Sequence, residues 1–315
     1  MAQHRIVSLI ASATEIVCAL GFERDRVGRS HECDYPLEVK SLPVCTSPKF
    51  NVEGTSYEID QRVKAILQDA LSVYRVDATL LDNLQPTHII TQSQCEVCAV
   101  SLKDVEQAVC ELTRSNPTIV SLEPNALGDV WVDIKRVGKA LDAADCAEEL
   151  VARLQRGMSD IEHKAGSAAN RPTVACVEWI DPLMAGGNWM PELIEMAGGI
   201  NLFGEAGKHS PWMTWEELKS SDPDVIIVTP CGFDIDRTLE EMSLLTSKPG
   251  WSTLKAVQSG RIIVADGNQY FNRPGPRLLE SLEILAEVFH PGAFDFHHVD
   301  RGWIRYGATE PAKAQ

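Results

Sequence analysis

Residues 126–166 read ALGDVWVDIKRVGKALDAADCAEELVARLQRGMSDIEHKAG, and this stretch decides how the chain is divided. Apolar residues recur at helical spacing: Val130, Ile134, Val137 and Leu141, then Leu150, Leu154, Met158 and Ile161. Asp129 and Asp133 stand in the first turns and Lys135, Arg136 and Lys139 follow, so the charge runs with the helix dipole. The step Asp142-Ala-Ala-Asp145 is where such a helix can kink or break. A helix of about 40 residues reaches roughly 60 Å, enough to join two lobes. The same pattern also fits two ordinary helices inside one large α/β domain.

On each side, strands and helices alternate. Arg5–Ile10 reads as a buried strand, and Ser12-Ala-Thr-Glu15 as a capping box opening a helix over Glu15–Leu20, stopped by Gly21. Further strands are expected at 27–30, at an edge over 42–45, and at 87–91 and 118–122. Residues 48–85 hold a helical insertion, because apolar residues fall at 59, 63, 66, 67, 70 and 71. After a polar linker the pattern restarts, with strands at 173–179, 224–229 and 261–265 and helices at 190–196, 214–220, 235–245 and 276–289. The tail from Pro291 shows no period and is expected either to pack on the surface as an extension or to be partly mobile. Alternation of this kind means parallel sheets, so the fold class is α/β: two α/β lobes joined by a long backbone helix. The expected domains are 1–125 for the N-terminal lobe, 126–170 for the helix and linker, 171–291 for the C-terminal lobe and 292–315 for the extension.

The chain has 315 residues, 44% hydrophobic and 23% charged, with a formal net charge of -16. That charge argues against nucleic acid and anionic lipid as partners, since both select basic surfaces. No apolar run reaches the roughly 20 residues of a membrane span. Met1-Ala-Gln-His-Arg runs directly into the first strand, so the chain as written is expected in the cytoplasm, and in the periplasm if a leader has been removed. Nine cysteines in that setting favour thiols or metal ligands over disulfides.

Ligands of open parallel sheets gather at the carboxyl ends of the strands, and the residues with chemistry stand in those loops. His31 and Cys33 follow one strand, the pair Cys95-x-x-Cys98 follows another, and Cys231 holds the matching place in the second half. Two thiolates two residues apart can grip a soft ion such as zinc, with His31 and Cys33 completing a tetrahedron. The same loops also suit a thiol nucleophile at Cys95 or Cys98, or plain lining of a binding surface. Tyr35, Trp179, Trp189, Trp212, Phe233, Tyr270 and Phe271 lie mostly between elements, which suits a broad, flat, partly apolar ligand. Asn268 and Arg273 are the polar candidates, Arg273 able to fork onto an amide or carboxylate rim. The chain contains no phosphate-binding glycine loop, no H-E-x-x-H and no G-x-S-x-G.

Arg5-Ile-Val-Ser-Leu-Ile-Ala-Ser-Ala-Thr-Glu15, Asp34-Tyr35-Pro36, Pro211-Trp212, Thr214-Trp-Glu216-Glu-Leu and Asn272-Arg273-Pro-Gly-Pro-Arg277 resemble the vitamin B12-binding periplasmic protein and its relatives. These are ABC-transporter substrate-binding proteins with a helical backbone. The resemblance covers roughly residues 5–290, apart from the insertion. It implies cobalamin held between the lobes, with Asp34, Tyr35 and Pro36 contributed by the first and Trp212 by the second, and Arg273 near the corrin amides. It also implies a permease partner, docked through Glu216, and a monomer without catalytic activity. Relatives of the family bind haem and iron–siderophore complexes. The insertion and the thiol-rich loops depart from the family pattern, and the glutamate expected to dock the first lobe has no match near Cys98.

Overall fold

The computed structural model describes residues 4–69, 73–93, 102–110, 114–168 and 170–307. The chain divides into two compact units, Met1–Gln155 with Arg273–Arg277, and Arg156–Asn272 with Leu278–Gln315.

Unit 1 opens with β1 (Ile6–Ser8), α1 (Ala11–Ala19) and β2 (Arg26–Arg29). β3 (Thr46–Pro48), α2 (Ser56–Asp69), β4 (Tyr74–Val76) and α3 (Ala78–Leu84) follow, then β5 (His88–Gln92), α4 (Leu102–Cys110), β6 (Thr118–Leu122) and α5 (Leu127–Ala140). The sheet has the order β2-β1-β5-β6, every pair parallel. The loops after β1, β2, β5 and β6 therefore leave from one edge. Val7, Leu9, Ile89, Leu81 and Val105 are buried together, filling the space between sheet and helices. The insertion is not purely helical: β3 and β4 pair as an antiparallel ribbon. Tyr74 and Val76 face inward there, a period of two too short to stand out beside the long stripe of α2.

The segment 126–166 is two helices, α5 and α6 (Ala144–Gly166). Asp129 accepts from the backbone N–H of Ala126 (2.8 Å) and so closes the start of α5. Its end is made by Asp142, whose φ of 56° lies in the left-handed region, and by the Ala143 N–H bonding back to Gly138 O at 2.8 Å. A Cβ on Gly138 would stand 2.4 Å from the Ala147 Cβ, so this turn needs glycine. α6, 23 residues and about 35 Å long at about 1.5 Å per residue, contains the division between the units. A helix therefore joins two α/β units, although it is a little over half the length the sequence suggests.

Unit 2 contains β7 (Thr173–Trp179), β8 (Met184–Ala185), α7 (Met190–Met196), β9 (Ile200–Asn201), α8 (Trp215–Ser221) and β10 (Val225–Val228). Then come α9 (Ile235–Glu241), α10 (Ser243–Thr246), α11 (Lys255–Gln258), β11 (Ile262–Ala265), α12 (Leu278–Phe289) and β12 (Trp303–Arg305). Its sheet runs β12-β11-β10-β7-β8, with β9 also on β7. β7, β10 and β11 are parallel. All four residues of β10 and of β11 are buried, as expected of strands covered on both faces. The described part of the tail is tied into the sheet. β12 adds to β11 antiparallel, and Trp303 is buried with its indole N–H donating to Glu287 at 2.9 Å. Three residues are too few to show a strand period in sequence.

Candidate ligand site

The carboxyl edge of the unit 1 sheet carries the first set of candidates. α1 begins at Ala11, earlier than the sequence suggests, and no side chain caps it. Ser12 and Glu15 are instead buried inside it. Glu15 is spent on an ion pair: Arg273 Nη1 donates to Glu15 Oε1 at 3.1 Å and to Asp34 Oδ1 at 2.7 Å. Arg277 Nη1 lies 3.9 Å from the same Glu15 oxygen. Arg273 is 6% exposed, so its guanidinium fixes the 34–36 loop rather than standing open to solvent. The Arg277 guanidinium lies 4.1 Å above the Tyr35 ring, leaving Tyr35 42% exposed.

His31 and Glu32 precede this loop. The His31 N–H donates to Thr46 Oγ1 at 3.1 Å, and its Nδ1 is 2.8 Å from the same oxygen. Its ring packs on Tyr74 with centroids 4.9 Å apart, and the Tyr74 hydroxyl donates to Glu32 Oε1 at 2.7 Å. Burial, helped by the nearby Arg29 guanidinium, lowers the His31 pKa to about 4, so the imidazole is neutral at pH 7. Burial raises the Glu32 pKa, opposed chiefly by the Tyr74 hydrogen bond.

Cys33 is buried and accepts from Thr14 Oγ1 at 3.0 Å, and burial pushes its thiol up to about 11. Burial likewise raises Cys18 to about 11 and Cys45 to about 12. These thiols are protonated at neutral pH and poor nucleophiles as arranged. Cys95 and Cys98 lie outside the described residues. Among the described residues no three His, Cys, Asp or Glu side chains converge as a metal site. A hollow of about 450 Å³ lined by Val44, Thr46, Ser47, Arg75, Val76 and Asp77 holds none of the aromatic candidates.

The carboxyl edge of the unit 2 sheet carries the second set. Trp179 ends β7 and its ring lies 5.2 Å from that of Phe233, which follows β10. The Arg237 guanidinium lies over the Phe233 ring at 4.4 Å and pairs with Glu240 and Glu241. Trp212 is 55% exposed on a segment that bonds to β8 and its flank, Ala185 N–H to Pro211 O (2.9 Å) and Met213 N–H to Leu183 O (3.0 Å). Gly187 permits that approach, since a Cβ there would meet Ser210 N at 2.5 Å.

Other candidates are tied into the unit. Trp189 is 6% exposed, its indole N–H donating to Phe271 O at 2.6 Å, and Tyr270 is buried. Asp266 accepts from the N–H groups of Asn268 (3.0 Å) and Gln269 (2.8 Å), which shapes the loop bearing Asn268. Cys231 is half-buried, its N–H on Glu178 O. Glu216 is exposed in the first turn of α8, whose capping box is formed by Thr214 and Glu217.

Sequence reasoning missed Glu15, Thr46, Tyr74, Arg237 and Arg277. Only Glu15 and Arg277 carried a signal, within the stretches that bear the family resemblance.

The pattern of the family described as "Periplasmic binding protein" matches residues 6–268. An uncharacterized ABC transporter substrate-binding lipoprotein of Bacillus subtilis (strain 168) is 26% identical over 295 residues, 92% of this chain and 81% of that protein. A vitamin B12-binding protein of Vibrio cholerae is 20% identical over 285 residues, 89% of this chain and 87% of the relative. Among solved structures, the periplasmic heme-binding protein of Roseiflexus sp. RS-1 in apo form aligns with a TM-score of 0.68 and 24% identity, over 93% of this chain and 100% of that one. The periplasmic vitamin B12 binding protein of Vibrio cholerae aligns with a TM-score of 0.63 and 18% identity, over 91% and 96%. With two α/β units, a connecting helix and a match over most of its length, the chain belongs to the periplasmic binding protein family.

Proposed function

We propose that this chain is a non-catalytic carrier of ABC-type uptake that binds cobalamin or a closely related corrinoid. The observation that carries the reading is charge compensation beside aromatics in each unit. In unit 1 the Arg273 and Arg277 guanidinium groups face Glu15 and Asp34 beneath Tyr35. In unit 2 Arg237 is paired with Glu240 and Glu241 beneath Phe233. Tyr35 then offers apolar area on neutralised ground, and Trp212 offers exposed apolar area in unit 2. That suits a large ligand whose rim is amide and whose net charge is zero, such as cyanocobalamin. A haem, with two carboxylates, needs cations not already held by protein carboxylates. The relatives described as vitamin B12-binding and cobalamin-binding proteins support the same choice.

Relatives described as a lipoprotein and structures described as periplasmic support action outside the cytoplasmic membrane, so we take the periplasmic alternative over the cytoplasmic one. The chain works as a monomer and presents Glu216 to a permease. In unit 1 Asp34, Tyr35 and Pro36 form a contact surface, with Arg273 holding their loop in place; in unit 2 Trp179, Trp212 and Asn268 form another, with Phe233 packed on Trp179 and with Trp189 and Tyr270 buried. Haem is the second reading, favoured by the heme-binding structural neighbours. Calorimetric titration with cyanocobalamin and with hemin tests the choice. Cyanocobalamin is expected to bind with micromolar or tighter affinity, weakened about tenfold in Trp212→Ala, or about 1.4 kcal/mol. Binding of hemin without any binding of cyanocobalamin overturns the corrinoid reading.

A further inference from the structure

The His31 side chain is held more firmly than ordinary packing requires. β2 delivers it to Thr46, where the backbone N–H and the ring Nδ1 meet one hydroxyl oxygen at 3.1 and 2.8 Å. The Thr46 hydroxyl donates its own proton to Ser30 Oγ at 3.2 Å, and that oxygen also accepts the Glu32 N–H at 3.2 Å. With the Thr46 proton committed to Ser30, Nδ1 is the donor to Thr46. The ring is therefore the tautomer with its proton on Nδ1 and a lone pair on Nε2. Tyr74 packs tilted against the ring, and its hydroxyl is pinned by Glu32, so rotation is limited as well. His31 is half-buried, and Nε2 has no hydrogen-bond partner among the described residues.

A histidine whose second nitrogen donates to a fixed oxygen is oriented as metal-bound imidazoles are. A free divalent ion needs three or four protein donors. None gather with His31 among the described residues, and the neighbouring Cys33 thiol is buried and engaged by Thr14. A metal already held in plane by a macrocycle needs one donor from the protein.

Resting on the corrinoid reading above, we propose that His31 Nε2 is an axial ligand to the cobalt of the bound corrinoid, so that the protein prefers corrinoids carrying an exchangeable water on that face. The step is a ligand exchange. The Co–O bond to water breaks, the Nε2 lone pair forms a Co–N bond, and water leaves, with no proton released and no change in oxidation state.

The test is a pair of titrations, aquocobalamin and cyanocobalamin, followed by calorimetry and by the corrin absorption bands. The bands of aquocobalamin are expected to shift on binding, and those of cyanocobalamin, whose cyanide is held tightly, to stay in place. In His31→Ala the band shift is lost and the preference for aquocobalamin over cyanocobalamin falls by roughly 10- to 100-fold. Thr46→Val keeps the imidazole but removes the acceptor for Nδ1, so it retains the shift with a reduced preference. Aquocobalamin bound with unshifted bands, or a shift that survives in His31→Ala, overturns the axial ligand and leaves the corrinoid reading standing. Failure of wild type to bind either cobalamin overturns both.

Discussion

Arg273 bonds to Glu15, 258 residues earlier in the chain, and to Asp34. Its guanidinium is held in the charged state because the two carboxylates outweigh the effect of burial. Glu15 is 4% exposed, so removing its partner leaves a carboxylate with little access to water. Arg273→Met is therefore expected to cost about 3 kcal/mol in urea unfolding, and the double variant with Glu15→Gln to recover at least half of it. Equal stability of Arg273→Met and wild type would show that the pair is dispensable. In sequence, Arg273 was visible as a polar candidate for a ligand rim, and Glu15 as a helix cap. Both residue types suit those roles locally, and nothing within a few residues of either announces the other.

Among the elements, α5 shows how a polar residue ties helix to sheet. Asp133 accepts from the Glu123 N–H just past β6 at 2.8 Å and from Arg136 Nη1 at 2.6 Å, while Arg136 also reaches Ser121 O at 2.7 Å. Burial raises the Asp133 pKa from 3.8 to about 6 despite these donors. The folded state thus holds a proton here that the unfolded chain has lost. The associated stability is fully present below about pH 4 and is lost as pH rises through about 6. Asp133→Asn keeps an acceptor for the Glu123 N–H and has no charge to bury. Its stability relative to wild type is expected to rise on the order of 2–3 kcal/mol between pH 4 and pH 7, read from urea unfolding at several pH values. Parallel profiles would sink the assignment. The helix itself was legible, since Val130, Ile134 and Val137 are all buried as their spacing requires. Its end at Asp142 was only suspected, because a left-handed turn beside Gly138 depends on the close approach of Ala147.

At the scale of the whole molecule, the net charge of -16 sets the terms for any ligand. It repels a dianionic porphyrin and leaves an uncharged corrinoid unaffected. The affinity for cyanocobalamin is accordingly expected to vary less than about twofold between roughly 50 and 500 mM sodium chloride, as measured by calorimetry. A steep dependence on salt would mean that unpaired charges of the protein meet the ligand. Length, charge and the alternation of strands and helices were determined by the sequence itself, while the caps at Asp77, Thr214 and Asp234 emerged with the structure. Periodicity reports which face of an element is apolar, so two α/β units and a connecting helix could be read from it. The tertiary structure alone decided that β12 closes onto β11, that Trp189 donates into the interior while Trp212 stays exposed, and that His31 is fixed by Thr46 and Tyr74. These outcomes depend on which distant groups the topology brings within hydrogen-bonding reach, and no local pattern of residue types encodes that distance.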